Sequence, residues 1–355
     1  LPERFRYAKI VERRELLRRA AAEAGHPLGQ EELAATAGNF EALEIADLMV
    51  ESAVGVLAVP VGIAAGFLVD GEMLAVPMAT EEPSVIAAAT HAAKIIRREG
   101  GFITCGQNPL ATVQVFIDGT DAHAAGRRVS ATESEIHERV DQTVHSLAAR
   151  GGGYRAMRVG WLSSSSVLKV EIDIDTCDAM GANKVNAAGE ALRPLLEQVS
   201  GGVVLMAIVT NASRSNLYKA QFKCPQLRLR RANRSGEEMA ARIVQAFMIA
   251  AEDQDRAVTH NKGIMNGIVA VALATGNDTR AIEAAVHLHA IGSGSYRPLT
   301  SYRTEAGVLH GELVIPVPLG SVGGAVSVHP GARFGLQVLG NPSAAKLARV
   351  ACAVG

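Results

Sequence analysis

Hydrophobic positions recur at helical spacing from about Phe5 to Ala24, and this spacing predicts an amphipathic helix that Gly25 ends. Shorter stretches with the same period lie near Glu31 to Thr36 and Glu41 to Met49. Val54 to Phe67 is apolar with interspersed Gly and Pro; with Met73 to Val76 it brackets Asp70-Gly71, a dipeptide that signals a hairpin between two strands. Pro83 fits the first turn of a helix running through Arg98 and stopped by Gly100-Gly101.

The pattern then changes. Ala111 to Ile117 alternates as a strand, Glu133 to Ala149 reads as a helix, and Gly151 to Gly153 breaks it. Tyr154 to Leu162 and Val167 to Ile174 are strands around a Ser163 to Ser166 turn, followed by a helix from Ala182 to Val199 and a strand at Val203 to Val209. The order β-α-β-β-α-β is that of the split βαβ, ferredoxin-like arrangement. Further helices are expected near Glu237 to Ala251, Ile264 to Ala274 and Arg280 to Ala290, with a strand at Val308 to Val317 and a glycine-rich turn at Gly320 to Gly324. The expected fold is therefore α+β: a large helical domain over 1–108 and 213–355, interrupted by a small ferredoxin-like domain over 109–212.

Composition narrows the classes. With 355 residues, 48% hydrophobic and 20% charged, the chain has the make-up of a soluble globular protein with room for two domains. A net charge of -1 without a long run of Lys or Arg lacks the electrostatic footprint of a nucleic-acid binder. The most basic stretch, Arg4 to Arg19, alternates with Glu3, Glu12 and Glu15 and reads as a solvated helix face. No apolar run reaches a membrane span and no signal-peptide pattern is present, so the expected location is the cytoplasm without membrane contact. Cys105, Cys177, Cys224 and Cys352 are far apart and read as buried reduced thiols; His287 and His289 point to different faces of a helix, and no HExxH occurs. No metal site is expected.

Three blocks carry the candidate chemistry. VPMATEEPSVI at Val76 to Ile86 presses Glu81 and Glu82 against apolar sequence, a placement that costs free energy unless the acids are used or neutralised. DAMGAN spans Asp178 to Asn183. THNKGIMNGIVAVALATGND, from Thr259 to Asp278, has Lys262 opening an apolar helix and Asp278 just past its end. Taken singly, Glu82 reads equally well as a charge at a helix N-terminus, Lys262 as a surface cation and Asp278 as a cap for the following helix.

Taken together, in this order and with a GxxGG-HP stretch behind them, these blocks resemble class II 3-hydroxy-3-methylglutaryl-coenzyme A (HMG-CoA) reductase over nearly the whole chain. The resemblance implies an NAD(P)-dependent oxidoreductase that interconverts HMG-CoA with mevalonate and coenzyme A by two hydride transfers. It assigns Lys262 to the developing oxyanion, Glu82 to general acid catalysis and Asp278 to the network that keeps the lysine charged. Arg256, Ser84 and Asn266 match contacts to the hydroxymethylglutaryl group, and Arg6, in Phe5-Arg6, matches a contact to the coenzyme A phosphates.

No GxGxxG follows a strand, so the dinucleotide would not bind through the common Rossmann turn. The resemblance places it instead on DAMGAN, with Asp178, Met180, Gly181 and Asn183, where Gly181 lets backbone approach a pyrophosphate at a helix N-terminus. Asn211 matches a further contact between cofactor and substrate. Asp141 matches an acidic position that accepts from ribose hydroxyls and favours NAD, with NADP as the alternative because Arg139 and Arg150 are close in sequence.

If Lys262 and Asp278 flank an unbroken helix, sixteen steps of rise hold them roughly 24 Å apart, and the resemblance implies a site shared across a homodimer, alone or within a larger assembly of dimers. The family also continues past the stretch matching Ala344 to Gly355 into a C-terminal flap that bears a histidine; that flap is expected to be absent from this chain, and His329 matches a different position. The family's ENVIG-like segment reads ESAVG at Glu51 to Gly55. Two rival classes are a homo-oligomer that binds ligand without chemistry, and an acyl-CoA enzyme that forms a thioester on cysteine, for which Cys105 is the candidate.

Overall fold

The structure, a computed structural model, describes residues 5–38, 40–106, 110–292 and 294–355; for Arg6, Glu32 and Phe40 it describes the backbone alone. Three helices come first: α1 (Ile10–Glu23), α2 (Gln30–Ala35) and α3 (Phe40–Met49). Arg13 departs from the expected solvated face. It is only 2% exposed, donating to the carbonyls of Ala8 and Ala53 at 2.9 and 2.8 Å and pairing with Asp47, so it ties α1 to α3.

Strands β1 (Val61–Val69) and β2 (Glu72–Ala79) form the expected hairpin, with Asp70 and Gly71 both at positive φ, as a twist-matched two-residue turn requires. The Asp70 carboxylate accepts from the Thr104 backbone and hydroxyl at 2.7 and 2.5 Å, which anchors the hairpin tip. Helix α4 (Val85–Ile96) follows. Pro83 does not occupy its first turn as expected: Ser84 is the N-cap residue, at φ 75°, and Pro83 instead shapes the approach that carries Glu82 past the helix end. After β3 (Ile103–Gly106) comes β4 (Leu110–Asp118), then α5 (Ala122–Ala131), α6 (Glu133–Thr143) and α7 (His145–Ala148). Helix α5 falls outside the sequence-based expectations. Asp121 caps it, accepting from the backbones of His123 and Ala124.

Strands β5 (Gly153–Leu162) and β6 (Val167–Asp175), helix α8 (Ala182–Ser200) and strand β7 (Val203–Thr210) complete an antiparallel sheet in the order β5-β6-β4-β7. The inward positions of its central strands, Val113, Val115 and Ile117 with Leu168, Val170, Ile172 and Ile174, are fully buried against α5, α6 and α8. They form a core of their own.

The rest of the chain supplies β8 (Leu217–Pro225), α9 (Gly236–Glu252), α10 (Gln254–Ala274), α11 (Thr279–Ile291), β9 (Thr300–Glu305), β10 (Val308–Pro316), α12 (Ala325–Val328), α13 (Pro330–Val338) and α14 (Ala344–Val354). A second four-stranded sheet runs β3-β8-β10-β9, all antiparallel. The larger part, expected to be helical, thus carries six strands among the described residues; the polar segment at 300–305 shows no apolar alternation, and 217–225 pairs with 308–316 across a long sequence separation that no local period reveals.

Helix α10 is the axis of this part. It starts ten residues earlier than its apolar run and is unbroken at Gly267, where a side chain would meet Val354 Cγ1 of α14 at 2.9 Å. Ile264, Met265, Ile268 and Val271 of α10 join Phe67 and Met78 of the hairpin and Leu347 and Ala351 of α14 in a second core. Among the described residues no helix is long and apolar enough to cross a membrane.

Ile268 is fully buried, so Ile268→Ala is expected to cost about 2–5 kcal/mol through lost burial and a residual cavity, read as a lower midpoint in chemical denaturation.

Candidate active site

Lys262 is the ninth residue of α10 rather than its opening. Asn261, beside it and fully buried, donates to the Arg297 carbonyl and accepts from the Leu299 N–H, both at 2.9 Å, so α10 is pinned one residue before the lysine. The preceding His260 bonds to the Thr300 hydroxyl at 2.6 Å. Lys262 Nζ reaches Glu82 Oε2 at 2.7 Å, and Asn266, one turn further along the same helix face, donates to Glu82 Oε1 at 3.5 Å. Glu82 is held from its own side by its backbone N–H, which bonds to the Thr80 hydroxyl at 3.1 Å.

Three of the expected site residues therefore converge within one chain although they lie 180 and 184 positions apart in sequence. Their side chains are open: Lys262 is 59% and Glu82 46% exposed. A charge pair so exposed contributes only about 0–1 kcal/mol to stability, so its geometry is not explained by folding. Ser84 stands two residues from Glu82 at the start of α4, and no side-chain cap bond is made there. Arg256 lies in the first turn of α10, six residues before Lys262 and about 240° round the helix, off the face that carries Lys262 and Asn266. The side chain of Arg6 lies outside the described residues.

Asp278 is not part of this group. It is the N-cap of α11, its Oδ1 accepting from the backbones of Arg280 and Ala281 at 3.0 and 3.2 Å and from the Arg280 guanidinium at 3.2 Å. Partial burial opposes ionisation of this carboxyl, but the hydrogen bonds from Arg280 and Ala281 outweigh it and hold the group below the ordinary carboxylate range. Lys262 is separated from the end of α10 at Ala274 by twelve residues of unbroken helix, about 18 Å of rise.

Around Asp278 the other motifs gather. Asn277 accepts from the Gly320 N–H at 2.7 Å, and the Asp178 carbonyl accepts from Ser321 and Val322 at 2.8 and 3.2 Å, so the TGND, GSVGG and DAMGAN turns are stitched together. The Asp178 carboxylate accepts from the Ala344 N–H at 2.8 Å and thus bridges to α14. Gly181, at φ 83°, is the N-cap of α8 and has no side chain to offer the helix's first N–H groups; a Cβ there would sit 2.3 Å from Thr176. Asn183 is exposed in the first turn of α8. Met180 and Asn211 line a small cleft between this turn, the end of β7 and the first turn of α11. Asp141, on α6, accepts from the Tyr154 N–H at 2.8 Å and lies 3.2 Å from His137, so one of its oxygens is committed to the start of β5.

Cys105 is exposed, contrary to the expectation of buried thiols; it lies opposite Lys219 in the sheet, and no histidine bonds to it among the described residues. Cys352 is buried, which pushes its thiol up to about 12. Among the described residues no group of three or more His, Cys, Asp or Glu side chains is placed to hold a metal ion. His329 caps α13, its Nδ1 accepting from Gly331 and Ala332. Sequence reasoning passed over Asn261 and Asn277, the two amides that position the lysine helix and the TGND turn. No local signal marks them: Asn261 stands between His260 and Lys262 and Asn277 between Gly276 and Asp278, so their pairing is set by the fold.

Comparison with known proteins shows the family. A family model for hydroxymethylglutaryl-coenzyme A reductase matches residues 9–355. A 3-hydroxy-3-methylglutaryl-coenzyme A reductase from Archaeoglobus fulgidus is 39% identical over 353 residues, 98% of this chain and 79% of that protein. A probable reductase of the same name from Borreliella burgdorferi is 32% identical over 311 residues, 86% and 70% of the two chains. The class II enzyme from Streptococcus pneumoniae, solved with NADPH in open conformations, superposes with a TM-score of 0.86 at 35% identity, covering 99% of this chain and 95% of that one. The chain belongs to the hydroxymethylglutaryl-coenzyme A reductase family.

Proposed function

We propose that this chain interconverts HMG-CoA with mevalonate and coenzyme A through two successive hydride transfers from, or to, a nicotinamide cofactor. The observation that carries the reading is the Lys262–Glu82 pair, 2.7 Å apart, with Asn266 on the same helix face. In the reductive direction the first hydride adds to the thioester carbonyl and leaves an oxyanion, which Lys262 stabilises and Glu82 protonates. The hemithioacetal then returns its hydroxyl proton to the Glu82 carboxylate and expels coenzyme A as a thiolate, giving an aldehyde. A second hydride gives an alkoxide, and a second proton from the same side completes the alcohol. Ser84 and Asn266 flank the acid and serve as contacts to the hydroxymethylglutaryl group, with Arg256 for its free carboxylate, where a guanidinium fork suits a planar anion.

Residues 109–212 form the cofactor-binding unit of this reading, an inserted ferredoxin-like domain. Its sheet order β5-β6-β4-β7, helices on one face and separate core support that description. The uncapped N-terminus of α8 behind DAMGAN is suited to the pyrophosphate. Between the two nicotinamide cofactors we favour NADP over the NAD expected from Asp141. One Asp141 oxygen is already engaged by Tyr154, which weakens its claim on a ribose, and the 35% identical Streptococcus enzyme binds NADPH.

A second copy completes the site. Asp278 and the cofactor cleft sit at one end of α10 and Glu82 with Lys262 about 18 Å away along it, so one chain does not bring them together. A partner would also close over Glu82 and exclude water. An apolar groove of about 820 Å³ supports this reading: it runs past Asn277 and His329 beneath α3, next to Leu57, which is 90% exposed.

Absorbance at the nicotinamide band, followed with mevalonate, coenzyme A and NAD or NADP, tests the activity. Lys262→Ala should lower kcat by about 10²–10³-fold while changing stability by less than about 1 kcal/mol, since the pair is exposed. A variant that retains full turnover removes the assignment. Mixing Lys262→Ala and Asp278→Ala subunits should regain activity that neither parent has; mixed dimers as inactive as the parents would exclude the shared site. Asp278 has its own pH signature. Its carboxyl is lowered on folding, so its stabilising contribution is full above the unfolded value of about 3.9 and fades as pH falls through the folded value. The stability gap between wild type and Asp278→Asn should therefore shrink on acidification, as measured by denaturation midpoints from neutral pH down to about pH 2.

A further inference from the structure

One buried polar atom lies beside this site with no partner. Asn216, between β7 and β8, is 2% exposed, and its Oδ1 makes no hydrogen bond among the described residues. Its backbone is fixed: the N–H donates to the Ser213 carbonyl at 3.1 Å, and the carbonyl accepts from the Val317 N–H at 3.2 Å. With the backbone so fixed and the residue 2% exposed, the side-chain amide lies inside the protein. A buried acceptor without a donor is costly, and in native structures such an atom calls for an explanation.

Asn216 lines the cleft that Met180 and Asn211 also line, with a volume of about 30 Å³. That space admits the tip of a ligand, an amino or hydroxyl group, and not a ring. The same cleft is lined by Ala281, whose N–H is held by Asp278. The chemistry demanded at this position is a neutral hydrogen-bond donor, because Oδ1 is an acceptor and the rest of the cleft is mostly apolar: Leu110, Ala111, Val209, Pro318 and Leu319.

We propose that Asn216 is a further cofactor contact, its buried Oδ1 accepting a hydrogen bond from the amino group of the nicotinamide carboxamide at the inner end of the cleft. This rests on the placement of the cofactor at DAMGAN and Asn211 argued above. The amide bond sets the rotation of the pyridine ring about its glycosidic bond and so decides which face is offered to the substrate carbonyl. A water molecule could satisfy the same acceptor, and the two donors are separable by the choice of cofactor.

The test compares dissociation constants of the reduced cofactor and of its 3-acetylpyridine analogue, in which a methyl group replaces the amino donor, on the whole protein. Wild type should bind the analogue about tenfold more weakly, the cost of leaving a buried acceptor unpaired. In Asn216→Leu, which keeps the branching at Cγ and removes the acceptor, the two should bind within twofold of each other. Asn216→Ser, whose hydroxyl is too short to reach, should lose the discrimination likewise and serves if the leucine variant does not fold. Equal binding of both cofactors by wild type would mean that water alone serves Oδ1, and discrimination that survives in both variants would mean another donor site; either overturns the proposal. Met180→Arg, which fills the cleft, separates the underlying reading: undiminished cofactor binding there would overturn the placement of the cofactor itself, and lost binding supports it.

Discussion

The unbroken helix α10 is the constraint on which the rest depends. Its twenty-one residues run from the Asp253 cap to Ala274 through a core that a side chain at Gly267 would not fit. A straight helix is a rigid spacer, so the ammonium group on its middle and the carboxylate beyond its end are held about 18 Å or more apart within one chain. The hairpin is brought to the lysine and the DAMGAN and GSVGG turns to the aspartate. The molecule thus carries two polar clusters at two stations of one rod, and the proposed dimer rests on that separation.

Energetic weights sort the polar contacts into those that hold the fold and those that remain available for chemistry. Amides and a carboxylate with fixed partners, the buried Asn261, the half-buried Asn277 and the more exposed Asp178, join elements distant in sequence, and each would leave an unpaired group if removed. Glu82 and Lys262 are half exposed and pair across 180 positions for little gain in stability. Asp278 belongs to both sets. Capping α11 fixes its position and lowers its pKa, which keeps it anionic, as a partner for an ammonium group must be.

The apolar groove beneath α3 and the unpaired Oδ1 of Asn216 share a physical character: each is a surface or atom that folding leaves incompletely satisfied. Both border the station at the end of α10. The two cores, by contrast, are filled by well-buried aliphatic side chains, so an open apolar groove beside an unpaired acceptor leaves that end of the chain suited to further contacts.

Local order was legible in the sequence wherever a period or a turn dipeptide carries it. The Asp70-Gly71 hairpin, the strands flanking Ser163 to Ser166, and the helices at 182–200 and 236–252 follow from alternation, 3.6-residue spacing and caps. The family resemblance groups Glu82, Lys262 and Asp278 and makes Asn266 a contact to the hydroxymethylglutaryl group; the structure joins Glu82 and Lys262 with Asn266 instead. What the sequence did not decide was distance. Strands β8 and β9 take their places by pairing with β10, Pro83 yields the helix start to Ser84, and Arg13 turns inward to serve carbonyls. Those outcomes depend on groups far along the chain, whose approach is set by packing and the need to pair every buried polar group; helical rise along the sequence already separates Asp278 from Lys262, but only the tertiary structure could bring Glu82 to Lys262.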